Sequence, residues 1–319
     1  MIGPYVHSID PVLVDVKAVY LWWYGLGYAL GFLETLLWLR RVRKRAGLTL
    51  SQAYDLTIYL AFGILVGGRV VEVVFYEWPY YQDHLWRIPA EWLGGMSTHG
   101  VLLGAVVFIW LFCRMHGKSF LRIADELSIP GAFLMGMGRI GNFIDGQIVG
   151  RVTDVWWAVK FPEVEGFRHP VVLYDGLKNF LLVPLLLYVS KRKASRGVVM
   201  AHFLFWYGFL RIIVDIFRVY RSTLFGMPPG QGLNIFMSLA GAAMLIFFSK
   251  KSRKGDGELR AETPQVFSAT HEALWPRRLV LAALMLFSLT IPSDWTQDIP
   301  SRYGNRHPGL HYSLLYPPK

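Results

Sequence analysis

Polar side chains that could bind or transform a ligand are concentrated in one short stretch of this sequence, residues 138–151. They are Arg139, Asn142, Asp145, Gln147 and Arg151, and four glycines lie among them. Glycine allows turns and close backbone approaches that other residues resist. The flanking sequence is strongly apolar, and polar groups inside such sequence usually mark a functional site. We therefore expect this stretch to line a polar pocket.

A second charged group lies at residues 211–218. Arg211, Asp215 and Arg218 are spaced i, i+4 and i+7, so on a helix they share one face. Asp215 has two interpretations, as part of a ligand site or as a counter-charge that only neutralises the arginines. Arg211 lies about two turns, or about 10 Å, inside the predicted helix end. With Arg139 it would form a two-guanidinium clamp suited to a phosphate ester.

His99 is the candidate general base, because the pKa of histidine lies near working pH. We expect no metal site, since His99 and His169 lack the spacing of helical zinc ligands and Cys113 is the single cysteine. Arg69 and Glu72 are three residues apart, and a mutual structural pair is the favoured interpretation of these two residues.

The bulk composition indicates an integral membrane protein. The chain has 319 residues, of which 54% are hydrophobic and only 17% are charged, whereas soluble domains carry about 25% charged residues. The net charge of +11 would suggest nucleic acid as the partner of a soluble protein. Here the basic residues cluster between apolar runs, which favours a membrane protein with no nucleic-acid partner. Residues 1–18 lack the basic start and small-residue cleavage site of a signal peptide.

Apolar runs of about 20 residues, the length that a helix needs to cross a bilayer, predict an all-α polytopic membrane bundle. The seven predicted spans are roughly 19–39, 54–76, 99–115, 123–144, 170–190, 197–217 and 231–249. A candidate eighth run, 278–295, would either cross the membrane or lie at its interface. Basic clusters follow the first, third, fifth and seventh runs, so the positive-inside rule predicts that the N-terminus is outside.

This topology predicts that the candidate site residues lie at one face of the membrane. Those at the outer side are Tyr24, Arg69, His99, Arg139, Asn142, Arg211 and Asp215. A channel or transporter would instead distribute its charges along a path through the bilayer. We expect a membrane domain at 1–250, a charged cytoplasmic linker at 251–277, and a segment at 278–319 that holds the eighth run and an outer-surface tail.

Residues 138–147, Gly-Arg-Ile-Gly-Asn-Phe-Ile-Asp-Gly-Gln, closely resemble the signature of the bacterial prolipoprotein diacylglyceryl transferase family, Gly-Arg-x-Gly-Asn-Phe-Ile-Asn-Gly-Glu. Other segments resemble further motifs of that family, in order, over about residues 20–250. They are Trp23-Tyr24-Gly25-Leu26, Gly67-Gly68-Arg69, Met96-Ser97-Thr98-His99-Gly100, Arg168-His169-Pro170 with Leu173-Tyr174-Asp175, and Phe209-Leu210-Arg211-Ile212. The tail beyond residue 255 is longer than the family leads us to expect.

The resemblance implies an enzyme of the bacterial inner membrane whose active site lies near the outer leaflet. It would transfer the diacylglyceryl group of phosphatidylglycerol to the lipobox cysteine thiol of a prolipoprotein signal peptide, and release glycerol phosphate. The implied partners are these two substrates and membrane lipids, and no cofactor is implied.

The resemblance also suggests roles for individual residues. Arg139 and Arg211 would stabilise the phosphate, and His99 would generate the thiolate nucleophile. The resulting candidates are Tyr24, His99, Arg139 and Arg211 for catalysis, and Arg69, Arg139, Asn142, Asp145, Gly150, Arg211 and Asp215 for substrate binding.

The sequence departs from the family pattern at several of these positions. Asp145 and Gln147 exchange the places of the signature's amide and carboxylate, so hydrogen bonds there must change. Asp175 and Asp215 each stand where the family has Glu, and Glu72 replaces an expected aromatic residue. A second interpretation therefore stays open: a divergent, non-catalytic paralogue that binds phospholipid or lipoprotein.

Overall fold

The computed structural model describes residues 4–17, 19–192, 195–219, 229–253, 273–293 and 298–318. The strands are β1 (Tyr5–Val6), β2 (Val12–Val16), β3 (Val19–Trp22) and β4 (Val159–Lys160). The helices are α1 (Trp23–Ala46), α2 (Leu50–Phe75), α3 (Trp78–Tyr81), α4 (Thr98–His116), α5 (Phe120–Ile144), α6 (Val171–Ser190), α7 (Val198–Asp215), α8 (Pro229–Arg253), α9 (Trp275–Ser288) and α10 (Ile299–Tyr303). The chain divides into two compact units.

The predicted class of helical membrane protein is confirmed at the level of helix length and hydropathy. Among the described residues, five helices are long and apolar enough to cross a membrane: α2, α4, α6, α7 and residues Gly230–Lys250 of α8. Helices α1 and α5, at the first and fourth predicted spans, have 24 and 25 residues. Helix α9 has 14 residues, or about 21 Å at 1.5 Å per residue. The number of spans stays a prediction.

The prediction of a purely α-helical chain is wrong at the start of the first span. Residues 19–22 form β3, which pairs with β2 as an antiparallel hairpin, and helix α1 begins only at Trp23. The sequence Val-Tyr-Leu-Trp favours a strand because β-branched and aromatic residues fit a pleated, half-buried surface. Lys17 adopts a φ of +58°, which reverses the chain before β3.

The first unit is built on helices α5 to α8. Helix α6 packs against α5 and α7, and α7 packs against α8. The buried Asp125 of α5 caps the start of α7, because its Oδ2 and Oδ1 accept hydrogen bonds from the backbone N–H groups of Gly197 and Met200 at 2.8 and 2.9 Å. A carboxylate at this position also complements the positive end of the helix dipole. The short strands β1 and β4 pair in parallel.

In the second unit, α2 and α4 meet through glycines. Gly63 and Gly67 of α2 face Gly100 and Gly104 of α4, and a Cβ atom at any of the four would clash with backbone of the opposite helix. Both helices thus present two small residues four positions apart, a spacing that lets helix backbones approach closely in membranes. This contact fixes the start of α4, where His99 lies.

The described part of the tail, residues 298–318, packs on the β2–β3 hairpin. Trp22, Tyr303 and Tyr316 are fully buried in one apolar cluster. Tyr20 belongs to the same cluster, and its hydroxyl donates to the carbonyl of Gly309 at 2.8 Å. The predicted linker 251–277 and the loop near 218–230 lie mostly outside the described residues.

Helix α9 lies along α2 in the second unit. Near its start, Arg277 Nε lies 2.7 Å from the Asp55 carboxylate close to the start of α2. At its other end, the Ser288 carbonyl lies against Gly25, in the first turn of α1. The Trp22 backbone N–H then donates to the Leu289 carbonyl at 2.8 Å.

We predict that Gly104→Ala destabilises the protein by about 1–3 kcal/mol, the usual penalty of forcing a methyl group into a packed contact. The physical reason is the clash of the new Cβ with the Gly63 carbonyl oxygen. Thermal unfolding of the purified protein in detergent measures the effect. Gly131→Ala is the matched control, since open space surrounds that helical glycine; equal stability of the two variants would contradict the prediction.

Candidate functional site

A buried carboxylate, that of Asp175, is the centre of the polar cluster in the first unit. Its Oδ2 lies 2.6 Å from Arg139 Nε and also accepts a hydrogen bond from Arg211 Nη1. Its Oδ1 lies 3.0 Å from the ammonium of Lys178. The Asp175 side chain is 1% exposed, so all three cations meet it away from water.

Two further polar side chains orient the arginines. Arg139 Nη1 donates to Asn142 Oδ1 at 3.0 Å. Arg211 Nε lies 3.1 Å from Asp215 Oδ1, and Asp215 Oδ2 accepts from the Asn234 amide at 3.1 Å. The structure thus brings together Arg139, Asn142, Arg211 and Asp215, as the sequence predicted, and Asp215 forms the neutralising pair that was one of its two interpretations.

Small residues allow the helices to deliver these side chains to one place. Arg139 comes from the end of α5, Asp175 from the start of α6, and Arg211 from the last turns of α7. A Cβ atom at Gly176 would lie 3.3 Å from the Cβ of Arg139, tighter than ordinary packing. Glycine next to Asp175 therefore lets α5 and α6 approach closely enough for the ion pair.

The segment after α5 turns back along the cluster. Helix α5 ends at Ile144, Asp145 is fully buried, and Gly146 adopts a φ of +69°, which favours glycine. Gly150 donates its N–H to the His169 carbonyl at 3.1 Å. A Cβ at Gly150 would clash with that same carbonyl, so only glycine fits there.

Aromatic and imidazole groups adjoin the start of α6. The Trp157 indole N–H donates to the Tyr174 hydroxyl at 2.6 Å, and that hydroxyl lies 3.1 Å from His169 Nδ1. Burial lowers the pKa of His169 below its ordinary value, which favours the neutral ring. This chain of contacts fixes the residues that precede Asp175.

Arg69 of the second unit holds a loop instead of pairing with Glu72. Its guanidinium donates to the carbonyls of Ile88, Arg87, Ala90 and Gly94 and to the Tyr81 hydroxyl. These hydrogen bonds do not include Glu72, so the prediction of a hydrogen-bonded pair of Arg69 and Glu72 is wrong. Buried arginines need partners for several N–H groups, and four loop carbonyls supply more of them than one carboxylate could. The substrate-binding role of Arg69 stays a prediction.

The remaining candidates, His99 and Tyr24, also belong to the second unit. His99 is half-buried in the first turn of α4, and its Nδ1 lies 3.4 Å from the Tyr76 hydroxyl. The hydroxyls of the buried Tyr24 and Tyr28 are 3.0 Å apart. Their catalytic roles stay predictions.

Lys178 is the site residue that the sequence interpretation missed. It lies in the middle of an apolar run, three positions after Asp175. A charge inside a predicted span is costly and is a default pointer to a functional group, so that rule would have found it. Within the described residues, no cluster of His, Cys, Asp and Glu could hold a metal ion.

A sequence model of the prolipoprotein diacylglyceryl transferase family matches residues 11–247. The chain belongs to this family. The resemblance carried by residues 138–147 is thereby confirmed, and the match covers all the charged residues of the cluster.

Curated relatives named phosphatidylglycerol–prolipoprotein diacylglyceryl transferase are similar along most of their length. The protein of Legionella pneumophila (strain Lens) is 38% identical over 243 residues, 73% of this chain and 95% of the relative. That of Methylobacillus flagellatus is 38% identical over 252 residues, 75% of this chain and 96% of the relative. That of Geobacter sulfurreducens is 38% identical over 253 residues, 76% of this chain and 96% of the relative.

We predict that Asp175→Asn lowers the free energy of unfolding by about 3–5 kcal/mol, the usual effect of removing one partner from a buried ion pair. The amide leaves the guanidinium groups of Arg139 and Arg211 without their shared counter-charge. Thermal unfolding measures the change, with Asp154→Asn on the exposed surface of the same unit as control. A variant as stable as the control would contradict this account of the cluster.

We predict a pH-dependent stability from the loop that Arg69 holds. Burial raises the pKa of Glu91 from 4.5 to about 7, although nearby Arg69 acts in the opposite direction. Because the folded state binds the proton more tightly than the unfolded state, stability is greatest below pH 4.5 and falls as pH rises through about 7. Glu91→Gln should reduce the fall in melting temperature between about pH 5 and 8. Asp83 is exposed in the same loop, so Asp83→Asn should leave this fall in melting temperature unchanged. Identical pH profiles for the original protein and both variants would refute the prediction.

Proposed function

We propose that the protein transfers the diacylglyceryl group of phosphatidylglycerol to the lipobox cysteine thiol of a prolipoprotein. The carrying observation is that Arg139 and Arg211 converge on one oxygen of Asp175 in a chain of the transferase family. Guanidinium groups close enough to share one oxygen can also bind two oxygens of one phosphate. The donor and acceptor come from the names of the relatives.

In the proposed reaction, the cysteine sulfur forms a bond to the glyceryl carbon that carries the phosphate. The bond from that carbon to the phosphate oxygen breaks, its electron pair stays on the oxygen, and glycerol phosphate leaves. A phosphodiester with one negative charge becomes a monoester with up to two. Arg139 and Arg211 would stabilise this growing charge more in the transition state than in the bound lipid, which is the condition for catalysis.

The thiol proton must be removed, because the thiolate is the nucleophile. We propose His99 as the base and Tyr24 as a second catalytic residue. Asn142 would position Arg139, as their 3.0 Å hydrogen bond supports. Gly150, Asp145 and Asp215 would shape the lipid site, and Arg69 would support it through its loop.

We further propose a bacterial inner-membrane protein with the N-terminus outside and the active site near the outer leaflet. Residues 1–250 would form the transferase domain, and 251–277 a cytoplasmic linker. The contacts of α9 favour a crossing eighth run. Helix α9 begins beside Asp55, near the start of α2, and ends beside Gly25, at the start of α1. Because α1 and α2 are consecutive spans in the predicted topology, their starts would lie at opposite faces of the membrane. Residues 298–318 would then be an outer-surface tail.

The proposal is tested by the lipid transfer activity of purified variants. We expect Arg139→Ala and Arg211→Ala each to lower the rate by about 100-fold or more, as loss of a charge-stabilising group does. His99→Ala should lower it by about 100-fold to 10,000-fold. Mass spectrometry of a lipobox peptide incubated with phosphatidylglycerol gives the readout. Arg114→Ala, an exposed arginine of α4, is the control that should keep full activity.

The alternative is a family member that binds phospholipid or lipoprotein without turnover, suggested by the exchange at Asp145 and Gln147. Complementation separates the two functions. Expression of this chain in cells depleted of their own transferase should restore lipoprotein modification if it is an enzyme. Failure of rescue despite good membrane expression, together with phosphatidylglycerol binding by the purified protein, would replace the enzyme with the binding protein.

A further inference from the structure

Lys178 is buried within a membrane-crossing helix, where an ammonium group needs a compensating interaction. It lies on α6, in the candidate span Val171–Ser190, and is 5% exposed. Its Nζ is 3.0 Å from Asp175 Oδ1, 2.7 Å from Asn179 Oδ1 and 3.8 Å from the centre of the Tyr207 ring. These contacts enclose the ammonium on several sides, so its position is well determined.

The two oxygens of Asp175 have separate partners. Oδ1 faces Lys178, whereas Oδ2 faces Arg139 and Arg211. A carboxylate held at one oxygen cannot rotate freely, so Lys178 keeps the other oxygen directed at the two arginines. Lys178 therefore acts on the arginine pair through Asp175, in addition to the contacts of Arg139 with Asn142 and of Arg211 with Asp215.

Lys178 also adds one positive charge to the cluster. Among the five side chains Arg139, Asp175, Lys178, Arg211 and Asp215, three cations and two carboxylates leave one positive charge in excess. Without the lysine, two cations and two carboxylates would balance. An excess charge in a site of low dielectric attracts an anion strongly, whereas a neutral cluster does not.

We infer that Lys178 is a positioning residue for the lipid headgroup: it orients Asp175 beneath the arginine pair and adds a positive charge that favours binding of an anionic phosphodiester. Lys178 itself does not contact the lipid. The inference rests on the proposed function, because that function supplies the phosphodiester. It adds a residue whose charge acts on substrate binding through Asp175.

Lys178→Met tests the inference, because methionine keeps a similar length and can pack on Tyr207 without a charge. We expect the KM for phosphatidylglycerol to rise at least about tenfold while kcat changes by less than about threefold. Lys178→Arg should restore KM to within about threefold of the original protein. Leu182→Ala, one turn further along α6 and also buried, is the control for lost packing; it should lower the melting temperature and leave KM unchanged.

Lipid binding to the full-length protein provides a second measurement, because a loss of packing alone would not weaken the binding of one lipid and spare the other. Native mass spectrometry should show weaker binding of phosphatidylglycerol to Lys178→Met but unchanged binding of neutral diacylglycerol. An unchanged KM, or equal weakening for both lipids, would overturn the inference. If the original protein transfers no lipid, the proposed enzyme fails, but charge-selective loss of phosphatidylglycerol binding in Lys178→Met still supports the role of Lys178.

Discussion

The sharing of one Asp175 carboxylate by two guanidinium groups and an ammonium is the interaction on which the first unit depends. Arg139, Lys178 and Arg211 would repel one another in a medium of low dielectric, and the buried carboxylate makes their proximity stable. The members come from α5, α6 and α7, so the same contact joins three helices. The proposed anion-binding site and the junction of the three helices thus share the same atoms.

The second unit also buries an arginine, but it satisfies that arginine in another way. Arg69 donates to four backbone carbonyls and one hydroxyl in residues 81–94. Carbonyl dipoles carry no net charge, and together with one hydroxyl they occupy the N–H groups of this guanidinium. Such an arrangement organises a loop around the cation. The Asp175 cluster, in contrast, pairs its cations with a carboxylate. The proposed phosphate group would bind two of the same cations, Arg139 and Arg211.

Much of the site could be predicted from the sequence because its signals are local. The motif at 138–147 and the spacing of Arg211 and Asp215 indicate residues of one cluster, and the structure brings them together. The partner that joins them, Asp175, was visible only as a family position. Its bridging role depends on how three helices pack, which no local pattern contains. Lys178 was missed although its i, i+3 spacing from Asp175 is typical of a pair on one helix face, because Asp175 was considered only as a family position.

The fold was predictable where length and hydropathy decide it, and less so at the ends of the elements. The spans matched long helices because apolar runs of that length have few other structures. The β2–β3 hairpin was not predicted, since Val19–Trp22 runs directly into the apolar sequence of α1 and was counted with that helix. Arg69 was predicted to pair with the neighbouring Glu72, because residue types do not show which backbone carbonyls, distant in sequence, will accept its hydrogen bonds.

The contact of the tail with the hairpin has a consequence for biosynthesis. Tyr20 hydrogen-bonds to Gly309 and Tyr316, which lie 289 and 296 positions further along the chain. The ribosome makes the hairpin first, so its aromatic face stays uncovered until residues 309 and 316 have been translated. Contacts between residues so distant in sequence form late, because the intervening loop must first be closed. Completion of this cluster therefore requires synthesis of the chain at least as far as Tyr316.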